Sequence, residues 1–143
     1  MGQLYEEFVA YHSQFDASFL KIENHGEQFV TYADSFVGCS DKFCIVAEVD
    51  NLVVGYCLSM IEQKPPVYPN PQFGYIDNLS VSLKYQRRGI GAALFDDAVK
   101  RFKSLNIDRI ECYVAMENPK STAFWKKMNF RPFMAHMYLS LSD

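Results

Sequence analysis

The segment "YQRRGIGAALFDDAVKRF", Tyr85 to Phe102, limits what this chain can fold into more than any other stretch. Ile90, Leu94, Ala98, Phe102 and Leu105 recur at steps of four or three, with Asp96, Asp97, Lys100 and Arg101 between them. The stretch behind the glycines therefore reads as a helix with one apolar face. The first turn of such a helix holds N–H groups that lack intrahelical acceptors and carries roughly half a unit of positive charge. Gly89 and Gly91 are expected to admit a close approach to the backbone and to adopt conformations closed to other residues, and Arg87 and Arg88 add forked cationic donors. A helix that opens in this way suits a pyrophosphate.

Composition bounds the setting. A chain of 143 residues with 49% hydrophobic content is enough for one globular domain, residues 1–143, around a single core. No run approaches the ~18 apolar residues of a membrane span. The N-terminal "MGQLYEEFVAYH" has early acids and no basic-then-apolar order, which reads as cytoplasmic. Cys39, Cys44, Cys57 and Cys112 lack the paired short spacing of a zinc site and read as thiols, so no metal is expected. The net charge of −3 divides unevenly: residues 1–60 carry two basic and nine acidic side chains, residues 61–143 twelve basic and eight acidic. The basic half suits an anionic cofactor. The acidic half suits a cationic acceptor or is solvated surface. A pI near 5.6 and the lack of a basic stripe argue against nucleic acid.

The order along the chain is helices, then strands, then alternation. "LYEEFVAYHSQF" and "EQFVTYADSFV" space their apolar residues helically. "KFCIVAEVDNLVVGYCLSMIE" reads as a hairpin turning at Asp50-Asn51, and the proline-rich "QKPPVYPNPQFG" reads as a loop. "YIDNLSVSL" is a strand, the Arg-Gly helix follows, and "DRIECYVAM" is another strand. A helix, "KSTAFWKKM", leads into "FRPFMAHMYLSLS", whose alternation predicts a closing strand. The class is α/β or α+β with a mixed sheet.

A dinucleotide-binding turn would place its glycines directly after an apolar strand, but Ser82 to Arg88 intervenes and Leu94 stands at the third glycine position. A nucleoside triphosphate loop needs Gly-Lys-Ser/Thr, which is absent. The remaining pattern, strand, short polar excursion, Gln86-Arg87-Arg88-Gly89-Ile90-Gly91, helix, resembles the acyl-coenzyme A signature Q/R-x-x-G-x-G/A of the GCN5-related N-acetyltransferases (GNAT family). "ENPKSTAFWKKMNF" is similar to that family's second motif, matching at Glu117, Asn118, Phe124 and Phe130. The resemblance covers about two-thirds of the chain and implies a mixed, mostly antiparallel central sheet flanked by helices.

It also implies acetyl-coenzyme A as donor and an amine acceptor, a small molecule or a peptide. Backbone groups of Leu79 and Val81 would pair with the pantetheine arm, and N–H groups from Gln86 through Arg87, Arg88, Gly89, Ile90 and Gly91 to Ala92 would cradle the pyrophosphate. Asn118 would hydrogen-bond the pantetheine, with Lys120, Ser121, Phe124, Trp125 and Lys127 contributing from the same helix. Asn118-Pro119 also reads simply as an N-cap followed by proline at N1, and Lys120, Lys126 and Lys127 as surface lysines.

For the chemistry, Asp77 stands four residues before Val81, where family members carry a glutamate base, and strand alternation predicts that it shares a face with Tyr75, Leu79 and Val81. The other reading of Asp77 is an anchor for a loop or a charged acceptor. The Val81 N–H would meet the oxyanion. Trp125 occupies the position of the family's proton-donating tyrosine, and an indole N–H is no ordinary acid; Tyr113 is the substitute. Asn129 replaces a glycine before Phe130, and no opening strand precedes the first helix. Loss of the tyrosine keeps a second class open, a non-catalytic acyl-coenzyme A-binding module. Tyr68 and Phe73 are expected to wall the acceptor pocket, unless their loop serves as a homodimer contact.

Overall fold

The computed structural model describes residues 1–15, 23–139 and 141. Asp50 and Asn51 both take left-handed backbone, φ 50° and 62°, the two-residue turn whose twist matches a β-hairpin. The hairpin joins β1 (Lys42–Val49) to β2 (Leu52–Gln63). Next comes β3 (Gln72–Val81), which begins three residues earlier than the sequence reading placed it. A fourth strand, β4 (Ile110–Glu111), completes a sheet of order β1-β2-β3-β4, antiparallel except for the β3–β4 pair.

Two helices open the chain, α1 (Gly2–His12) and α2 (His25–Asp34), and α3 (Ile90–Ser104) follows β3 through a single 3-10 turn at Leu83–Tyr85. The buried residues of α3 are Leu94, Phe95, Ala98 and Phe102, the stripe its periodicity predicts. α3 lies against β1, β2 and β3. It reaches β3 because Gly74 lacks a side chain: a Cβ there would meet the Phe102 ring at 2.7 Å. α1 and α2 cover the other face, where Leu4, Phe29, Ala33 and Phe36 pack with Tyr56, Leu58 and Met60 of β2.

By internal packing the chain divides into two compact units, Met1–Tyr113 and Val114–Asp143. The second holds α4 (Pro119–Lys127), capped as the sequence predicts: Asn118 Oδ1 accepts from the Ser121 N–H at 3.0 Å, with Pro119 at the first turn. Asn129 takes the left-handed conformation at its C-terminus, φ 65°, and the Phe130 N–H returns to the Trp125 carbonyl at 2.9 Å.

Two strands are shorter than the alternation implies. "DRIECYVAM" contributes only Ile110 and Glu111 to the sheet, and no ladder of the described residues includes 131–139. Alternation shows that a segment is able to pair; an available edge decides whether it does. The β3–β4 ladder stops at Tyr75 and Glu111, two residues before an irregularity in β3.

Candidate functional site

The turn into α3 has the expected character, with a change in which residues carry it. Gly89, the N-cap, is left-handed at φ 84°, with open space where a side chain would stand. The other left-handed residue is Arg87, φ 63°. Gly91 is an ordinary residue of the helix's first turn, so the expectation that both glycines take conformations closed to other residues holds for Gly89 alone. The first intrahelical bond runs from the Ala93 N–H to the Gly89 carbonyl at 3.0 Å, which leaves the N–H groups of Ile90, Gly91 and Ala92 facing out of the helix end. The Arg88 guanidinium lies 5.3 Å from the centre of the Tyr85 ring, and both arginines are exposed. The Gln86 side chain turns back to donate to the Val81 carbonyl at 2.9 Å.

That bond also reports how β3 presents its edge. The Ser82 N–H donates to Val54 of β2 at 2.9 Å. Peptide groups alternate along a strand, so those of Val81 and Leu79 point the other way, toward the side where pairing with β4 has ended. The edge from Ile76 to Val81 carries no ladder on that side among the described residues. An extended ligand is able to pair there as a strand would.

The irregularity in β3 is a bulge at Asp77. Leu58 pairs with Asn78 and Ser59 with Ile76, so β3 carries one extra residue, Asp77, against β2. A bulge re-aims side chains and ends pairing, which accounts for the short β4 ladder. It also corrects the alternation argument. Val81 faces α3, since a Cβ on its cross-strand partner Gly55 would meet both Val81 and Leu94. Leu79 shares that face. Tyr75 packs with the α1/α2 core instead, Asn78 of the bulge is bonded to Tyr56 of that core, and the Asp77 charge acts on Tyr75. Asp77 is thus set apart from Leu79 and Val81 by side-chain face.

Around Asp77 the face is rich in phenols. Burial raises its carboxyl above the ordinary range, the Tyr32 hydroxyl opposes the shift by hydrogen bonding, and the like charge of Glu62 adds to it. Tyr32 is itself pushed up to about 12, by burial first and then by Asp77. Tyr5, Tyr56 and Tyr75 are raised in the same way, burial first, each with a contribution from the Asp77 charge. Tyr56 is fully buried, and its hydroxyl donates to Asn78 Oδ1 at 2.9 Å, next to the bulged residue. Tyr113 packs its ring edge on Tyr75 at 5.7 Å and is largely exposed.

Sequence reasoning missed Tyr5, Tyr32, Tyr56 and Glu62. A signal was present in nine tyrosines for one chain, but no spacing rule links residues of three separate elements to the charge of one carboxylate. The Lys64 ammonium lies over the rings of Tyr68 and Phe73, 5.8 and 4.8 Å from their centres, and pairs with Glu111. Glu111, which also pairs with Arg109, stays below the ordinary carboxylate range because these bonds outweigh its burial.

In the second unit Asn118 is buried as well as capping, and Trp125 is 8% exposed, between Phe124 and Phe130 at ring distances of 5.0 and 4.9 Å. Trp125 is a packing residue there. Lys120, Lys126 and Lys127 are exposed, and Ser121 and Phe124 are half-buried. All four cysteines are free thiols, and among the described residues no group is arranged to hold a metal ion and no helix is long and apolar enough to cross a membrane.

Comparison with known proteins identifies the fold and the family. The sequence is 31% identical over 108 residues to an N-alpha-acetyltransferase of Sulfurisphaera tokodaii, a match covering 68% of this chain and 63% of that protein, so the chain spans less than two-thirds of its relative's length. The fold superposes on a mutant of the BH1408 protein of Bacillus halodurans with a TM-score of 0.84 at 20% identity, over 99% of this chain and 91% of the other. It also superposes on an aminoglycoside N-acetyltransferase solved in complex with CoA, with a TM-score of 0.71 at 10% identity, over 82% and 88% of the two chains. The sequence profile of the acetyltransferase (GNAT) family matches residues 3–130, and the chain belongs to that family.

Proposed function

We propose that this chain transfers an acetyl group from acetyl-coenzyme A to a primary amine by direct attack within a ternary complex. One observation carries the reading: a half-buried carboxylate, Asp77, sits in a strand whose outer edge carries no ladder beyond Tyr75 among the described residues and which leads through one 3-10 turn to an exposed cationic helix start. The residues present fit the donor. The outward peptide groups of Leu79 and Val81 suit a pantetheine arm, and the open N–H groups of Ile90, Gly91 and Ala92, with Arg87 and Arg88, suit a pyrophosphate. Acetyl-coenzyme A supplies an activated acyl thioester.

The chain's own residues do the rest. Asp77, raised above the usual carboxylate range, is a stronger base than an exposed aspartate and takes the amine's proton through water. The Val81 N–H, fixed on the open edge, donates to the developing oxyanion. Tyr113 is assigned the return of a proton to the departing sulfur. That demand is modest, because a thiol of pKa near ~8.5 leaves as thiolate and its protonation near neutral pH is worth only about 2 kcal/mol. The Sulfurisphaera relative's name favours an α-amino acceptor, and the acidity of the first sixty residues suits a cationic one. Residues 1–143 act as one catalytic domain in this reading.

Free-thiol release from acetyl-coenzyme A, measured against a panel of amines that includes peptide N-termini, tests it. Turnover with intersecting double-reciprocal lines is the expected result; parallel lines would exclude the ternary complex. Coenzyme A binding with no thiol released by any amine would give the chain to the binding-module reading, which the packed Trp125 favours.

A further inference from the structure

β1 (Lys42–Val49) stands at one end of the sheet, and β2 is its only ladder partner among the described residues. One bond tells which of its groups face outward. The Ile61 N–H of β2 donates to the Asp41 carbonyl at 2.7 Å, so the peptide groups of Asp41, Phe43, Ile45 and Ala47 point to β2 and those of Lys42, Cys44 and Val46 point away. Sheets blunt a free edge with a bulge, a proline or a charge in mid-strand. β1 has none of these. The irregularity between β1 and β2 puts its extra residue, Val54, on β2, and the charges of β1 are Lys42 and Glu48, near its two ends.

Lys42, Cys44, Val46 and Glu48 alternate onto one face, where Lys42 lies over the Phe36 ring at 5.3 Å and Cys44 packs on the α1/α2 core. Phe43, Ile45 and Ala47 take the other, where Phe43 meets Phe102 of α3 at 5.0 Å. Val46 is half-exposed, and neither Lys42 nor Glu48 has an ion-pair partner among the described residues.

We propose that the free edge of β1 binds the β1 of a second copy of this chain, antiparallel and about a two-fold axis at Ile45, so that two four-stranded sheets join into one of eight strands. A two-fold interface puts residue i opposite j and j opposite i. Centred on Ile45, it sets Lys42 opposite the second copy's Glu48, and Glu48 opposite the second copy's Lys42, both on one face. It sets Phe43 opposite Ala47, a ring against a methyl, and Cys44 opposite Val46, whose outward peptide groups then pair. The strand is thus complementary to itself in charge, bulk and backbone. An axis at Cys44 or Val46 would leave Glu48 opposite Ser40 or Cys44 instead. The joint lies at the edge opposite β4, so each copy keeps its own open β3 edge and turn into α3.

Sedimentation of the full chain over a range of protein concentrations tests this, and the wild type should dimerise. Lys42→Glu and Glu48→Lys each set like charges opposite one another at both ends of the joint, and each should weaken the dimer at least ~tenfold. Mixed in equal amounts, the two variants should pair with each other, because one carries two acids where the other carries two bases. The double variant Lys42→Glu/Glu48→Lys should dimerise as the wild type does. Val46→Pro removes an outward N–H and no bond to β2, so it should be a monomer with its circular dichroism unchanged. A wild type that stays monomeric at every concentration would overturn the proposal. So would a dimer indifferent to these substitutions, which would sit on another face such as the Tyr68 loop. Single variants that dissociate without rescue by mixing or by the double exchange would overturn the register and the proposal with it. Should Val46→Pro fail to fold, the charge exchange decides alone.

Discussion

The turn into α3 and the bulge in β3 are built on opposite principles. The turn is exposed, cationic and local: seven consecutive residues, Gln86 to Ala92, supply its charge, its left-handed backbone and its open N–H groups. The bulge is desolvated and anionic, and it is assembled from α1, α2, β2 and β3, so that no neighbour of Asp77 in sequence explains its environment. One region binds charge by presenting backbone to solvent; the other makes a base by withdrawing a carboxylate from it. Substitutions in the turn should therefore change affinity and leave chemistry alone, and substitutions at the bulge should do the reverse.

The strongest test of that division is Asp77→Asn. Loss of a general base should lower kcat/KM by ~10²–10⁴-fold and flatten the acidic limb while donor affinity barely moves. Were Asp77 only a binding group, KM for the amine would rise with kcat nearly unchanged. Stability should move the opposite way to activity. Burial raises the folded-state pKa of Asp77, so between its unfolded and folded values the native state holds more proton and stability falls as pH rises through that window. Asparagine carries no charge to bury, so Asp77→Asn should melt higher than the wild type at pH 8 and converge with it well below the ordinary carboxylate range. A thermal scan at the two pH values reads this directly.

At the other region, Gly91→Glu places an anion among the open N–H groups of the first helical turn. Donor affinity measured by calorimetry should fall by about 3 kcal/mol or more, the upper range for lost charge-assisted bonds. The melting temperature should hold, because Gly91 is ordinary helix and glutamate suits a helix N-terminus. Unchanged affinity would remove the pyrophosphate from this turn. Arg88→Ala is the milder version: about 1–2 kcal/mol of affinity, with a reduced salt dependence.

The same contrast explains what was legible in the sequence. Asp50-Asn51, Asn129, the Asn118-Pro119 cap and the α3 stripe were readable because each depends on a few adjacent residues and one backbone rule. The face of Asp77 was misread because period-two alternation assumes an unbroken ladder, and an extra residue in β3 has no local signature. Gly91 was overread for a related reason: a signature shows where glycine occurs, not which glycine needs left-handed backbone. The length of β4 depends on where its neighbour's bulge falls. Tyr5 looks like any tyrosine on an amphipathic helix until the fold packs it against the core that also takes Tyr75 of β3.

Asn118 gives the smallest effect and the most discriminating one, since its side chain has a demonstrated local duty and a separate one implied by the family. Its oxygen accepts from the Ser121 N–H, whereas a pantetheine carbonyl would be met by its amide hydrogens. Serine keeps an N-cap oxygen and lacks the amide; alanine lacks both. If capping is the whole role, Asn118→Ser should stay within a few tenths of a kcal/mol of wild type while Asn118→Ala loses about 1 kcal/mol of stability, and neither should change donor affinity. If the amide also serves the donor, both variants should lose affinity equally while differing in stability. Denaturant unfolding and calorimetry on the two proteins separate the cases, because the cap follows the oxygen and the binding follows the nitrogen.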